Sequence, residues 1–363
     1  MGSNPNGITK VASTLICNVL VFFSVIFLNI IVNLQAMDVK GKNIIKYSLT
    51  SILAVVLVWI AFRRLDWAAF LDGLKQTRWV FVFLFTVASI LALIFRTLRW
   101  KALLNPIDPD AGRMLIWDAN NVSNLANIAL PGSGEFIRCG YLASKKAPYQ
   151  KVLGTVVMER FCDVLAVALL FIAALVLNRE RFGAFFREQI WLPLSSRLGL
   201  TLWIIIAAVA AAAAILIWAV FHFSGRNSFC SKVAGTVKGL WQGFLSFAAM
   251  DRKWLFLAYT AGIWLMYILM SYAIILAMPE MSGLGFMDAL FISAVGNIAS
   301  VIPVPGGIGA YHYLVALCLT SLYAATWETG ILYATLCHEL HAVIIIILGI
   351  ISYTHLTLHR QRQ

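Results

Sequence analysis

The sequence predicts an all-α polytopic membrane protein built from two inverted repeats, with six core spans and two re-entrant helical hairpins. Of its 363 residues, 61% are hydrophobic and 12% are charged, and the mean hydropathy is +0.86. A soluble core does not need so much apolar material. Apolar runs of membrane-crossing length recur along the chain. Two other apolar segments are interrupted by Pro-Gly tips, which a continuous helix does not tolerate.

The net charge of +12 is distributed in a way that argues against nucleic-acid binding. Lys and Arg lie in short connections between apolar runs, as membrane topology signals and lipid-surface anchors do. The six cysteines form no C-x-x-C pair, so neither a disulfide framework nor a metal-binding cysteine motif is indicated. We therefore expect membrane lipids as partners, and no cofactor.

The N-terminal segment contains a first apolar run, Thr14–Ala36. It is long for a signal peptide and lacks an A-x-A site before Ala36, which favours an uncleaved span. Met37 precedes a polar stretch typical of a cytoplasmic N-terminus. Residues 1–36 are therefore interpreted as an extra N-terminal span with Met37 as an alternative start, and residues 37–363 as the main transmembrane domain.

Six further apolar runs have the length of about 20 residues that crosses a bilayer. They are Tyr47–Phe62, Trp79–Phe95, Val152–Leu177, Leu200–Phe221, Leu255–Met278 and Ile331–Tyr353. Segment Ser228–Phe247 instead places its apolar residues on one helical face, which predicts an amphipathic helix on the membrane surface.

The two interrupted segments are Met114–Tyr141 and Phe286–Tyr323, each with an apolar arm on either side of a tip. The tip residues are Pro131, Gly132 and Gly134 in the first, and Pro303, Pro305, Gly306, Gly307 and Gly309 in the second. Irregular backbone at membrane depth is tolerated only when it is buried in protein or lines a wet cavity. The tips are therefore predicted to face each other near the midplane, with surface loops between ordinary spans as the alternative.

The distribution of basic residues predicts the topology. With a cytoplasmic C-terminus and both interrupted segments re-entrant, the cytoplasmic connections carry 18 Lys and Arg residues and the outer ones carry nine. Each half then reads span, span, hairpin, span, in opposite orientations. Paired broken segments at matching positions in two halves indicate a central transport site.

Three charged residues lie inside one predicted span: Glu159, Arg160 and Asp163. A charge near the bilayer centre costs at least ~2.5 kcal/mol, so such residues pair or face a polar cavity. In one interpretation Arg160 binds a lipid phosphate and the carboxylates orient it. In the other, the charges neutralise each other and tie this span to the first hairpin through Arg138.

Two other pairs of charges are candidates for headgroup binding. Glu135 and Arg138 are three residues apart at the first hairpin, where they would lock its return arm or line a cavity mouth. Arg96 and Arg99 lie one turn apart before Trp100, which is typical of an interfacial anchor. The alternative is that Arg99 collects anionic headgroups from the inner leaflet.

The stretch Cys337–Val343 places His338 and His341 at i and i+3, with Glu339 between them. This is not H-E-x-x-H, and a metal would need another ligand, for which His312 is the nearest candidate. We therefore predict no metal site. The alternatives are a proton relay of His312, His338, Glu339 and His341, or satisfied polar packing between helices.

Four motifs resemble one family. They are FRTLRWKALL (Phe95–Leu104), LPGSGEFIRCGYL (Leu130–Leu142), GTVVMERFCDVL (Gly154–Leu165) and PVPGGIGAYH (Pro303–His312). From about Asn43 onward the chain is similar to the lysylphosphatidylglycerol synthase transmembrane-region family. This is the flippase-like membrane part of the bacterial aminoacyl-lipid synthases, which also exists as stand-alone proteins. The soluble aminoacyl-transferase domain is absent, so the resemblance does not extend to transferase activity. Many relatives carry a carboxylate after the second tip, where this chain has Tyr311 and His312.

The resemblance implies movement of a polar-headed lipid between leaflets. We expect a non-enzymatic multi-pass protein of the bacterial inner membrane that translocates a phosphate-bearing lipid or lipid-linked intermediate. Its partners would be anionic or polyprenyl-phosphate lipids, and a second copy of the chain or a separate lipid-modifying enzyme. One alternative is a membrane-embedded enzyme acting on a lipid headgroup, with Glu159, Asp163 or Glu135 as acid or base. Another is a non-catalytic membrane scaffold.

Overall fold

The computed structural model describes residues 56, 58–63, 65–177, 187, 204, 211, 228–299, 304 and 307–361, and every regular element in these ranges is helical. The elements are α1 (Trp67–Gln76), α2 (Trp79–Leu104), α3 (Arg113–Ala129), α4 (Ser133–Leu142), α5 (Tyr149–Leu177), α6 (Ser228–Phe244), α7 (Lys253–Ala277), α8 (Phe286–Ala299), α9 (Ala310–Tyr323) and α10 (Trp327–Gln361). Short 3-10 turns follow α6 and α7. Predictions for residues 1–36, for most of Leu200–Phe221 and of Tyr47–Phe62, and for Pro303, Pro305 and Gly306 lie outside the described residues.

Four of these helices, α2, α5, α7 and α10, are long and apolar enough to cross a membrane, which makes the described chain a polytopic helical membrane protein. They match four of the predicted spans. Helix α2 continues beyond the predicted end at Phe95, through Arg96 and Arg99, to Leu104. The charges do not end the helix because Arg99 is buried against carboxylates within the protein.

The two interrupted segments form helical hairpins, α3–α4 and α8–α9, close to their predicted bounds. Gly132, Gly307 and Gly309 have φ angles of 80°, 74° and 83°, a conformation that favours glycine. The first hairpin closes tightly, since the Gly134 N–H donates to Asn127 Oδ1 at 2.8 Å. A Cβ atom at Gly134 would lie 2.0 Å from the Ser123 carbonyl oxygen, so only glycine allows this approach.

The helices pack in an order that crosses the two halves of the chain. Helix α2 lies along α7, a long helix of the C-terminal half of the chain. The first arm of each hairpin packs on the last long helix of the other half, α3 on α10 and α8 on α5. Each of these contacts therefore joins an element of one half of the chain to an element of the other.

Segment Ser228–Phe247, predicted as an amphipathic surface helix, contains helix α6 and has a packing partner within the protein. It packs against α5 through small residues, because a Cβ at Gly243 would lie 2.0 Å from the Lys151 carbonyl oxygen and one at Gly239 would lie 2.9 Å from Gln150 Cβ. Trp241 on the same helix is exposed. Close packing on α5, which hydropathy does not reveal, therefore holds this helix in place.

The contact at Gly134 predicts a stability effect. Gly134→Ala should lower the free energy of unfolding by about 1–3 kcal/mol, because the new methyl group overlaps the Ser123 carbonyl. Gly140→Ala in the same helix is the control, since no atom lies within 4 Å of the point where its methyl group would sit, and alanine favours helix. Thermal unfolding in detergent measures both. Equal stability of the two variants would contradict the close approach.

Candidate functional site

Arg99 lies at the centre of a buried ionic cluster between α2 and α5. Its guanidinium group donates to both carboxylate oxygens of Asp163, at 2.6 and 3.2 Å, and to Glu159 Oε1 at 3.2 Å. The residue is only 1% exposed. The prediction of an interfacial anchor at Arg99 is therefore wrong, because two carboxylates one turn apart on α5 hold its side chain inside the protein.

Arg138 of α4 joins the same cluster from the first hairpin. Its Nη2 atom forms an ion pair with Glu159 Oε2 at 2.8 Å, and its Nη1 donates to Asn120 Oδ1 at 2.9 Å. The guanidinium lies over the Trp100 ring, 4.5 Å from the centroid. Trp100 is itself fixed by a 2.9 Å hydrogen bond from its Nε1 to Thr155 Oγ1. Glu159 therefore bridges two arginines from different helices.

Arg160 is the accessible member of the cluster, with 45% of its side chain exposed. It forms ion pairs with Glu135 and, at 3.6 Å, with Asp163. Glu135 also accepts a 3.0 Å hydrogen bond from Asn127 Nδ2. Glu135 and Arg138 were expected to pair with each other, but each pairs with a residue of α5. Glu135 pairs with Arg160, and Arg138 pairs with Glu159.

Arg96 is the residue whose importance the sequence interpretation missed. Across the described ranges, no hydrogen bond or ion pair holds its side chain, although Glu159, Asp163 and Tyr267 are electrostatic neighbours. It lies between the ionic cluster and the second half of the chain, since Tyr267 belongs to α7. Its i, i+3 spacing to Arg99 within an apolar helix was the available signal, because that spacing puts both on one face.

A second polar cluster follows the other hairpin tip. Glu339 Oε1 lies 2.9 Å from His338 Nδ1 and 3.8 Å from His312 Nε2, so α9 and α10 contribute jointly. His341 forms a 2.7 Å hydrogen bond with Ser89 of α2. Three members of the predicted relay thus share one site, while His341 links α10 to the first half.

Two further polar features lie at the helix ends. His355 of α10 is hydrogen-bonded to the buried Asp118 of α3 at 2.6 Å, a pair that the sequence interpretation did not single out.

An open pocket of about 580 Å³ lies near the end of α2 and the start of α7. Basic residues Lys101, Arg113 and Arg252 line it together with Asp251 and apolar side chains.

Comparison with known proteins identifies the family. A family model described as the lysylphosphatidylglycerol synthase TM region matches residues 44–349, the bulk of the chain. No curated protein and no solved structure matches. The family match confirms the resemblance in the hairpin and span motifs. This chain belongs to the lysylphosphatidylglycerol synthase transmembrane-region family.

Proposed function

We propose that this protein is a translocase that moves a phosphate-bearing lipid or lipid-linked intermediate across the bacterial inner membrane. The observation that carries the proposal is a charge imbalance in the ionic cluster. Among the described residues, four guanidinium groups, Arg96, Arg99, Arg138 and Arg160, face three carboxylates. An uncompensated charge is costly at low dielectric, and a phosphate group would neutralise it.

The cluster divides into positioning and binding groups. Arg99 and Arg138 are buried and already occupied by carboxylates, so they hold the helices together. Arg96 has no ion pair across the described ranges, and Arg160 is half exposed. In our proposal these two guanidinium groups bind the phosphate, for which their planar, bidentate geometry is suited.

In our proposal the headgroup first meets the basic pocket, which α2 lines through Leu98 and Lys101 on either side of Arg99 in the sequence. The side chains of Arg113 and Arg252 line it without a hydrogen bond or ion pair to any described residue, and Lys101 donates to two loop carbonyls. In the proposed topology this pocket faces the cytoplasm, where a separate lipid-modifying enzyme would deliver substrate. We propose no acid–base chemistry for Glu135, Glu159 or Asp163, since each is in an ion pair with arginine.

We further propose that the two halves are inverted repeats with re-entrant hairpins and a cytoplasmic C-terminus. The exchanged packing, α3 on α10 and α8 on α5, supports this, because a two-fold relation between halves produces such reciprocal pairs. The charge bias also supports it. Arg96, Arg99 and Arg138 belong to the helical bundle and not to connections, and without them the basic residues still divide 15 to nine.

Removing the uncompensated cation tests the charge imbalance. Arg96→Gln should slow the movement of a labelled anionic phospholipid in proteoliposomes about tenfold or more, the value of a charge-assisted hydrogen bond. Its thermal stability should be unchanged or slightly raised, because a charge without an ion-pair partner is removed. Lys145→Gln removes an exposed cation outside the cluster and should change neither property. Full lipid movement by a stable Arg96→Gln protein would exclude Arg96 from the site.

Arg99 should behave in the opposite way. Arg99→Gln removes the closest cation of Asp163 and one of the two arginines that Glu159 bridges, so we expect a loss of about 3 kcal/mol of stability. The double change with Asp163→Asn should recover part of that loss, because the carboxylate that has lost its closest cation is removed. Thermal unfolding of the single and double variants gives the comparison. Additive losses would show that the pair is not coupled.

Arg160 provides a test of the geometry that phosphate needs. Arg160→Gln should abolish lipid movement, and Arg160→Lys should restore little of it, because an ammonium group cannot reproduce the arginine fork. The same proteoliposome assay applies, scored beside the melting temperature of each variant. Rescue by lysine to the original rate would indicate that Arg160 supplies only charge.

The proposed topology predicts which loops face each side. Single cysteines introduced as Lys145→Cys, Gly283→Cys and Glu328→Cys in a cysteine-free background should react differently with an impermeant maleimide. Position 145 should label from the cytoplasm, and positions 283 and 328 from the outside. Labelling of 145 and 328 from the same side would rule out the inverted repeat.

A further inference from the structure

The cluster of His312, His338 and Glu339 has a geometry that the proposed lipid movement does not use. Their candidate ligand atoms all lie within 4.8 Å of one another. They come from two helices, with His312 in the first turn of α9 and the others on α10. We propose that these three residues bind a divalent transition-metal ion of the zinc type, which the histidine spacing along the sequence did not predict.

The distances suit a small tetrahedral ion. Zinc bound at 2.0–2.1 Å in a tetrahedral site separates its ligand atoms by about 3.3 Å. The two measured separations, 2.9 Å from Glu339 Oε1 to His338 Nδ1 and 3.8 Å to His312 Nε2, lie on either side of this value. The third separation, between the histidine ligand atoms, is at most 4.8 Å, and in our proposal side-chain rotation brings the three groups to coordinating positions.

A metal ion at this site would also compensate the charge of Glu339. Its ion-pair partners across the described ranges are the two histidines alone, and neither Lys nor Arg is among them. Glu339 lies within a membrane-length helix, where a carboxylate without compensation is costly. A divalent ion held by two neutral imidazoles and this carboxylate supplies that compensation. Imidazole ligands favour zinc, copper, nickel or cobalt over magnesium and calcium.

His312 is held in place for such a role. It is 1% exposed, packs 5.5 Å from the Phe62 ring centroid, and its Nδ1 has no hydrogen-bond partner among the described residues. Natural structures seldom leave a buried ring nitrogen without a partner. In our proposal Nδ1 carries the ring proton, so that Nε2, which lies 3.8 Å from Glu339 Oε1, offers its lone pair to the ion.

Bound metal would join the return arm of the second hairpin to α10. Three protein ligands leave one coordination position open, as in zinc sites that exchange a ligand. The tip backbone lies beside this site, since a Cβ at Gly307 would be 3.4 Å from His338 Nε2. The ion would therefore stabilise the second hairpin beside its tip, as the ionic cluster does for the first.

Metal content of the purified protein tests this site independently of lipid movement. Full-length protein in detergent is stripped with a chelator, dialysed against ZnCl₂ and measured by mass spectrometry. We expect one zinc per chain, and a melting temperature raised by about 5 °C through preferential binding to the folded state. Cobalt in place of zinc should give the visible absorption of a four- or five-coordinate ion.

His338→Ala and Glu339→Gln should each weaken zinc binding more than about tenfold and remove the thermal shift. His355→Ala, which breaks a histidine–carboxylate pair elsewhere on α10, should retain both. The conservative Glu339→Gln keeps the result interpretable if the alanine variant fails to fold. Folded protein that binds no zinc, or variants that bind it as the unmodified chain does, would overturn the proposal. Folded protein that binds no zinc but shows a pH dependence controlled by these residues would identify a proton site in place of the metal site.

Discussion

The described architecture depends on Glu159, one buried carboxylate that holds two arginines from two other helices. Arg99 reaches it from α2 at 3.2 Å and Arg138 from α4 at 2.8 Å. Desolvating three charges is costly, and only close pairing with good geometry offsets that cost at low dielectric. Charge as well as apolar packing therefore sets the position of α5 relative to α2 and α4. Because α4 is the second arm of the first hairpin, the same ion pairs hold that hairpin in the bundle.

In the inverted repeat that we propose, the two halves place different chemistry at corresponding points. Arg138 follows Pro131 by seven residues, and His312 follows Pro305 by seven. Arg160 and His338 are each the twelfth residue of a long helix, α5 and α10. One half thus carries groups that are always charged, and the other carries imidazoles, which in our proposal bind a metal ion. An arrangement with fixed positive charge on one side suits an anionic headgroup, whereas the histidine side suits a cation.

Packing between the two halves of the chain separates the ionic cluster from the cluster of His312, His338 and Glu339. Helices α2 and α7 lie side by side, and each hairpin leans on the last long helix of the opposite half. Arg96 and His341 stand on the boundary, where Tyr267 and Ser89 are their neighbours across it. Residues at this boundary lie between the two clusters. Arg96 has no ion pair across the described ranges, and this is significant at the boundary, whereas it would not be at the membrane surface.

The sequence by itself determined four membrane-length helices and the ends of the hairpins, because hydropathy and the backbone demands of proline and glycine are local properties. It also identified the family and nearly all of the charged residues that the structure brings together. It did not determine their partners. Glu135 pairs with Arg160 and not with Arg138, Arg99 is buried and not interfacial, and His312 joins His338 across two helices. Those choices depend on the distance and rotation between helices far apart in sequence, which no local pattern encodes, so only the tertiary structure decided them.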